Sequence, residues 1–364
     1  MKPGRLTWID YAKGIAIILV LYRHVFEGIK ASGISIEKYI YLEHANIIFY
    51  SFRMPLFYIV SGIFVTSSLQ KRGLQEFVST KMRTILYPYF LWGILQITIQ
   101  LVFSKFVNVH RTPADYLYLL YQPREIEQFW YLYSLFNVSI LYAFIKEKLK
   151  FSSLQNIGLG ILLFMISAIA FQKGFMMGFV QDIFHYYIFF AIGDAISRFM
   201  MNADNFRYFE SWATFLILLV PFVFAQRYFL SKSIIYAEKM GDKRYEFFEN
   251  YQPVLYIIIA LIGYAFIVSL TFILQKYKTA NWLQVLGKHS LYIYVSHVLV
   301  FASLRVFMMR VLHIYNVPVL LITGIIAGLA IPVFIYKLAV KVNMRWLFTL
   351  EKKPVLLNLR AQRA

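Results

Sequence analysis

The chain has 364 residues, 60% of them hydrophobic and 15% charged, with a formal net charge of +19 and no cysteine. A soluble domain of this length has too few interior positions to bury so large an apolar fraction. The lack of cysteine excludes disulfides, thiolate metal sites and a cysteine nucleophile.

Apolar blocks cover 8–27, 46–69, 83–104, 129–145, 154–171, 177–199, 212–230, 254–274, 284–309 and 318–340. Each is long enough to cross a hydrocarbon core of about 30 Å as a helix, and β-barrel alternation is absent. The expected fold is all-α: a polytopic membrane protein, a bundle of about ten transmembrane helices. It forms one domain over 1–345, followed by a basic cytosolic tail over 346–364. The cations sit between apolar blocks rather than along one soluble face, which argues for helix-orienting charges and against nucleic acid as a partner. Lys71, Arg72, Lys81 and Arg83 follow the second block, and Lys146, Lys148 and Lys150 follow the fourth. The opposite segments hold fewer cations, so both termini are expected in the cytosol.

The first block carries Asp10, Lys13, Arg23 and His24. It reads as an uncleaved helix, because charge interrupts its start and no small-residue cleavage site follows. Eleven helical residues turn within about 20° of three full rotations, so Lys13 and His24 share one face about 16 Å apart. Asp10 lies one turn from Lys13, near enough to pair with it. Two readings stand side by side. Either Lys13 is neutralised by Asp10 and His24 meets headgroups, or one face carries a cation near the inner end and a titratable base near the outer end.

In the second block Arg53 precedes Pro55, and Ser61-Gly62 is an ordinary small-residue packing signal. Glu43 and His44, just before this block, are placed where either can meet His24. Trp130 belongs to an aromatic set at a span end, the plain mark of a membrane interface. In the sixth block Asp182 and His185 are three residues apart on one face. A carboxylate there can orient the histidine, and an anchor at the membrane edge is the alternative. His297 lies near mid-depth in the ninth block, either as hydrogen-bonded structure or as a catalyst. The histidines and carboxylates lack metal-site spacing, so no metal is expected.

The stretches "RLTWIDYAKGIAIILVLYRHV", "FRMPLFYIVSGIFV", "KMRTILYPYFLW", "FWYLYSLF" and "GKHSLYIYVSHVLV" resemble, in order, the acyltransferase 3 family of ten-helix membrane O-acyltransferases. The "DYAKGI" and "MPLF" forms are most similar to the fucose 4-O-acetylase type. The resemblance implies transfer of an acetyl or other short acyl group from acyl-coenzyme A, a co-substrate rather than a bound cofactor, to a hydroxyl of a surface polysaccharide or glycolipid. It also implies the bacterial cytoplasmic (inner) membrane. Lys13 and His24 match the family's first-helix signature, with His24 as general base and Lys13 assisting the donor. Ser61 matches its Ser-Gly motif and is expected on the donor-binding side, and Trp130 matches its outer aromatic motif. Lys81-Met82-Arg83 stands where relatives carry Arg-x-Arg, which keeps charge but loses one guanidinium fork. With Lys71 and Arg72 it forms the expected docking site for the polyanionic donor. Arg23 stands where such relatives often have glycine, and Arg53 where they often have histidine; Arg53 is expected to stabilise oxyanion charge. The competing reading is a transporter or exporter of a glycan or acyl group.

Overall fold

The computed structural model describes residues 6–241 and 246–351. Lys2, Arg5 and most of the expected basic tail (352–364) lie outside the described residues. Among the described residues, eleven long helices make up the bundle: α1 (Thr7–Ala31), α2 (Ile40–Gly62), α3 (Val65–Lys81), α4 (Tyr87–Val102), α5 (Trp130–Lys148), α6 (Ser153–Gln172), α7 (Phe179–Met201), α8 (Trp212–Met240), α9 (Pro253–Tyr277), α10 (Ser290–Arg310) and α11 (Val317–Lys341). Among the described residues there is no β-strand.

Among the described residues, six helical stretches are long and apolar enough to cross a membrane by length and composition: Val65–Val102, which includes α3 and α4, and α6, α8, α9, α10 and α11. The protein is an integral membrane protein of helical class. The expected count of about ten also includes α1, α2, α5 and α7, which fall outside this set. Much of the charge sits in them: Asp10, Lys13, Arg23 and Glu27 in α1, Glu43 and Arg53 in α2, and Asp182 and Asp194 in α7 are buried or half-buried, while Arg198 of α7 is exposed and α5 adds Lys146, Glu147 and Lys148 at its end. Their position explains how that charge is tolerated. α1 packs against α2, α9, α10 and α11, while α2 packs against α1, α7, α8 and α9. Polar side chains on central helices meet protein rather than lipid. Peripheral helices show the opposite pattern. On α8, Ile217 and Phe224 are each 70% exposed, and on α11 Phe334 is 67% exposed, as lipid-facing side chains require.

The boundaries differ locally from those expected. α2 runs through Pro55 but stops at Gly62, short of the expected 69, and the chain restarts as α3. Gly73, at φ 71° and ψ 170°, breaks α3 in the left-handed half of backbone space. The block expected over 284–309 divides into a short helix, Asn281–Lys288, and α10. Glycines bring the central backbones together. A Cβ on Gly62 would lie 2.1 Å from the Phe190 carbonyl oxygen, and one on Gly193 would lie 2.1 Å from that of Ile59, so α2 and α7 touch main chain to main chain. Gly14 and Gly287 do the same between α1 and the Asn281–Lys288 helix. Beyond α11 the chain stays on the bundle: Phe348 is fully buried against Trp92, Tyr292 and Tyr336.

Candidate active site

His24 projects from α1 into a cavity of about 760 Å³ bounded by α1, the end of α4, the loop at 106–109, Glu127 and α10. The lining is mostly apolar, through Ile99, Phe103, Phe106, Val298 and Phe301. Its polar groups are few: His24, Glu27, Gln100, Asn108, Glu127, Ser303 and Arg305. An apolar pocket with a few polar groups is the common form of a small-molecule site.

The side chain brought to His24 is His297, with ring centroids 5.2 Å apart. Nδ1 of His297 lies 2.7 Å from the Tyr294 carbonyl and 3.1 Å from that of Ile293. A carbonyl can only accept, so Nδ1 carries the proton and Nε2 keeps its lone pair. That Nε2 is buried, with no hydrogen-bond partner among the described residues. The histidine expected to be either structural or catalytic is therefore anchored through one nitrogen, with a free lone pair at the other.

Arg53 lies one layer behind the cavity and is 1% exposed. Its Nη1 donates to Asn46 Oδ1 (3.4 Å), and Asn46 Nδ2 donates to Glu27 Oε1 (2.8 Å) on the cavity wall. Arg23 and Arg53 both lie against the Tyr50 ring, at 5.7 Å and 5.3 Å. The Tyr50 hydroxyl donates to Glu249 (2.9 Å), whose other oxygen is 3.4 Å from His185 Nε2. Burial pushes the Glu249 carboxyl up, but the charge and hydrogen bond of His185, Arg124 and Tyr50 hold it below its ordinary value. The carboxylate that meets His185 is thus Glu249. Asp182 is bound by Arg124 at 2.8 Å and 2.7 Å, and Arg124 stacks on Trp130 at 4.5 Å. Glu43 meets Lys30 at 3.0 Å, and His44 is half-buried nearby on α2.

At the other end of α1, Lys13 is half-buried, and its charge and that of Arg72 act on the Lys81 ammonium. Lys71 and Arg72 are exposed, and Lys81 and Arg83 are partly so. Arg83 pairs with Glu76 at 2.5 Å, and Arg72 donates to Thr80 at 3.1 Å. Lys13, Arg72 and Lys81 thus lie near enough for their charges to act on one another, with Arg83 held to Glu76 of α3. Asp10 is buried at the same end, its backbone carbonyl against Gly287. Ser61 bonds the Tyr131 hydroxyl, while its neighbour Gly62 makes the close contact with α7.

A family model described as an acyltransferase domain, Acyl_transf_3, matches residues 6–337. The chain belongs to the acyltransferase 3 family. The protein is a membrane acyltransferase. Comparison with curated proteins and with solved structures finds no match.

Sequence reasoning missed several of this acyltransferase's cavity residues. Glu127 sits in the loop before α5, where no periodicity singles it out. Gln96 and Gln100 carry a readable signal, two amides one turn apart in an otherwise apolar helix, and both donate to Glu127 (3.2 and 3.0 Å).

Proposed function

We propose that this acyltransferase moves an acetyl or other short acyl group from acyl-coenzyme A to a sugar hydroxyl of a surface polysaccharide or glycolipid. The observation that carries this is the axis of α1, with a base in a substrate-sized cavity at one end and a cation cluster at the other. In this reading about ten helices cross the bacterial inner membrane, both termini are cytosolic, and the His24 cavity opens on the outer side. Lys71, Arg72, Lys81 and Arg83 attract the phosphates of the donor at the inner face. Lys13 then favours the arm of the donor as it runs outward along α1. The acceptor class is carried over from the resemblance to the fucose 4-O-acetylase type, from which Arg23 and Arg53 depart.

His24, beside His297 Nε2, takes the proton of the acceptor hydroxyl as its oxygen attacks the thioester carbonyl. A carbon–oxygen bond forms, the carbon–sulfur bond breaks, and the departing thiolate takes up a proton from the histidine pair. The products are the sugar ester and free coenzyme A. The Arg53 guanidinium, one residue layer away through Asn46 and Glu27, biases the cavity toward developing negative charge.

The test is label transfer by purified protein in lipid vesicles, with [acetyl-¹⁴C]coenzyme A and surface glycan de-esterified by mild alkali. Label in the glycan, lost in His24→Ala, supports the reading. Glycan crossing the bilayer without gaining label favours transport instead.

A further inference from the structure

Glu127 is held where its backbone is unfavourable. It adopts φ 50° and ψ −118°, a conformation open to glycine and costly for any residue with a Cβ. The surrounding structure enforces this. Gln96 Nε2 donates to one carboxylate oxygen and Gln100 Nε2 to the other. Gln96 in turn accepts from Gln128 Nε2 (2.8 Å), and Gln100 accepts from Arg111 Nε (3.0 Å). The Gln128 carbonyl accepts from the Tyr294 hydroxyl, and the Tyr294 carbonyl anchors His297. One polar ladder therefore positions both the Glu127 carboxylate and the His297 ring, and His24 and Glu127 line the same cavity.

A fold can close a loop far more cheaply with glycine or asparagine at such a position. A carboxylate fixed there by two amides, with lone pairs left over on each oxygen, is built to accept further hydrogen bonds. The cavity's charge narrows the ligand. Glu27 is paired with Lys30 (3.4 Å) and bonded by Asn46, Arg305 Nη1 is engaged by the Gly28 carbonyl, and the charges of Arg111 and Arg305 act on Glu127. What Glu127 itself offers a ligand is a carboxylate, which accepts from donors and repels a phosphate or carboxylate set against it. Phe103 and Phe301 offer flat apolar faces, which suit the C–H face of a sugar ring.

We propose that Glu127 is an acceptor-binding residue: its carboxylate takes hydrogen bonds from hydroxyls of a neutral sugar next to the one that reacts. The acceptor class is thus an uncharged sugar carrying at least one free hydroxyl beside the acylated one. This rests on the O-acylation reading above and names which wall of the cavity reads the sugar.

The experiment uses the full chain in vesicles, acetyl-coenzyme A, and surface glycan de-esterified by mild alkali, with initial rates taken against glycan concentration. Glu127→Gln and Glu127→Gly are each expected to raise the acceptor KM at least 10-fold. The acetyl-coenzyme A KM should stay within 2-fold and the melting midpoint should be retained. An unchanged acceptor KM in Glu127→Gly overturns the proposal. So does a loss that appears equally in both KM values together with a lowered midpoint, which is the signature of a structural role. Wild-type protein that transfers no label to the glycan sinks the O-acylation reading itself, a result separate from any difference between variants.

Discussion

Glu127 and His297 show why single residues of this site were legible to different degrees. His24 and Lys13 stand out in the sequence because charge inside an apolar run demands an explanation, and helix geometry alone puts them on one face. His297 was visible as a buried base, but only the Tyr294 carbonyl reveals which nitrogen is free. Glu127 carries no signal, because its importance lies in a backbone angle and in amides 27 and 31 residues away. Its placement has a stability consequence. Burial raises the Glu127 carboxyl above its ordinary 4.5, and the Gln100 and Gln96 amides with Arg111 and Arg305 only partly offset this. The folded chain then holds that proton more tightly than the unfolded chain, so stability falls as pH rises from about 4.5 through the folded value. The other ionisable groups on the cavity wall, His24, Glu27 and Arg305, and Arg111 behind Gln100 are common to wild type and variant. Glu127→Gly removes both the strained angle and the buried charge. Its melting midpoint at pH 7 should match or exceed wild type, by about 1 kcal/mol of stability. The gain should shrink at pH 4, where the wild-type carboxyl keeps its proton. A variant several degrees less stable at pH 7 in a detergent melting assay contradicts the strain argument.

At the scale of elements, block length located the helices and missed their joints. Composition cannot show that α2 ends at Gly62, because Ile63 and Phe64 continue the apolar run, nor that Gly62 meets α7 main chain to main chain. Ser61-Gly62 is a small-residue packing signal in the sequence, and Gly62 does pack. Gly62→Val places carbon where the Phe190 carbonyl sits and should destabilise by more than about 3 kcal/mol, seen as loss of monodisperse protein on gel filtration. Gly158, on α6, is the control. A Cβ there meets nothing within 4 Å, so Gly158→Ala should leave yield unchanged and gain up to about 1 kcal/mol in helix propensity. Equal behaviour of the two variants removes the close-packing account of α2 and α7.

Across the whole molecule, the membrane class followed from composition, whereas the arrangement of the inner helices did not. Hydropathy selects the peripheral α8, whose apolar side chains face outward, and the more buried α9 and α10 alike. It under-reads α1, α2 and α7, where charge is housed inside the bundle. The same arrangement separates the two ends of α1 by task. Neutralising Lys81 and Arg83 together should raise the acetyl-coenzyme A KM about 10-fold and leave the acceptor KM unchanged, the reverse of the Glu127 pattern. Lys13→Arg should keep far more activity than Lys13→Ala. An unchanged donor KM in the double variant removes the inner cation cluster from donor binding. The most direct test of the central claim is mass spectrometry of surface glycans from cells lacking the protein, complemented with wild type or with His24→Ala. The account predicts that wild type restores an acyl mass to the glycan. His24→Ala, inserted at equal level, should restore at most about 1% of it, in line with loss of a general base. Full acylation by His24→Ala, or no acyl mass restored by wild type, contradicts it.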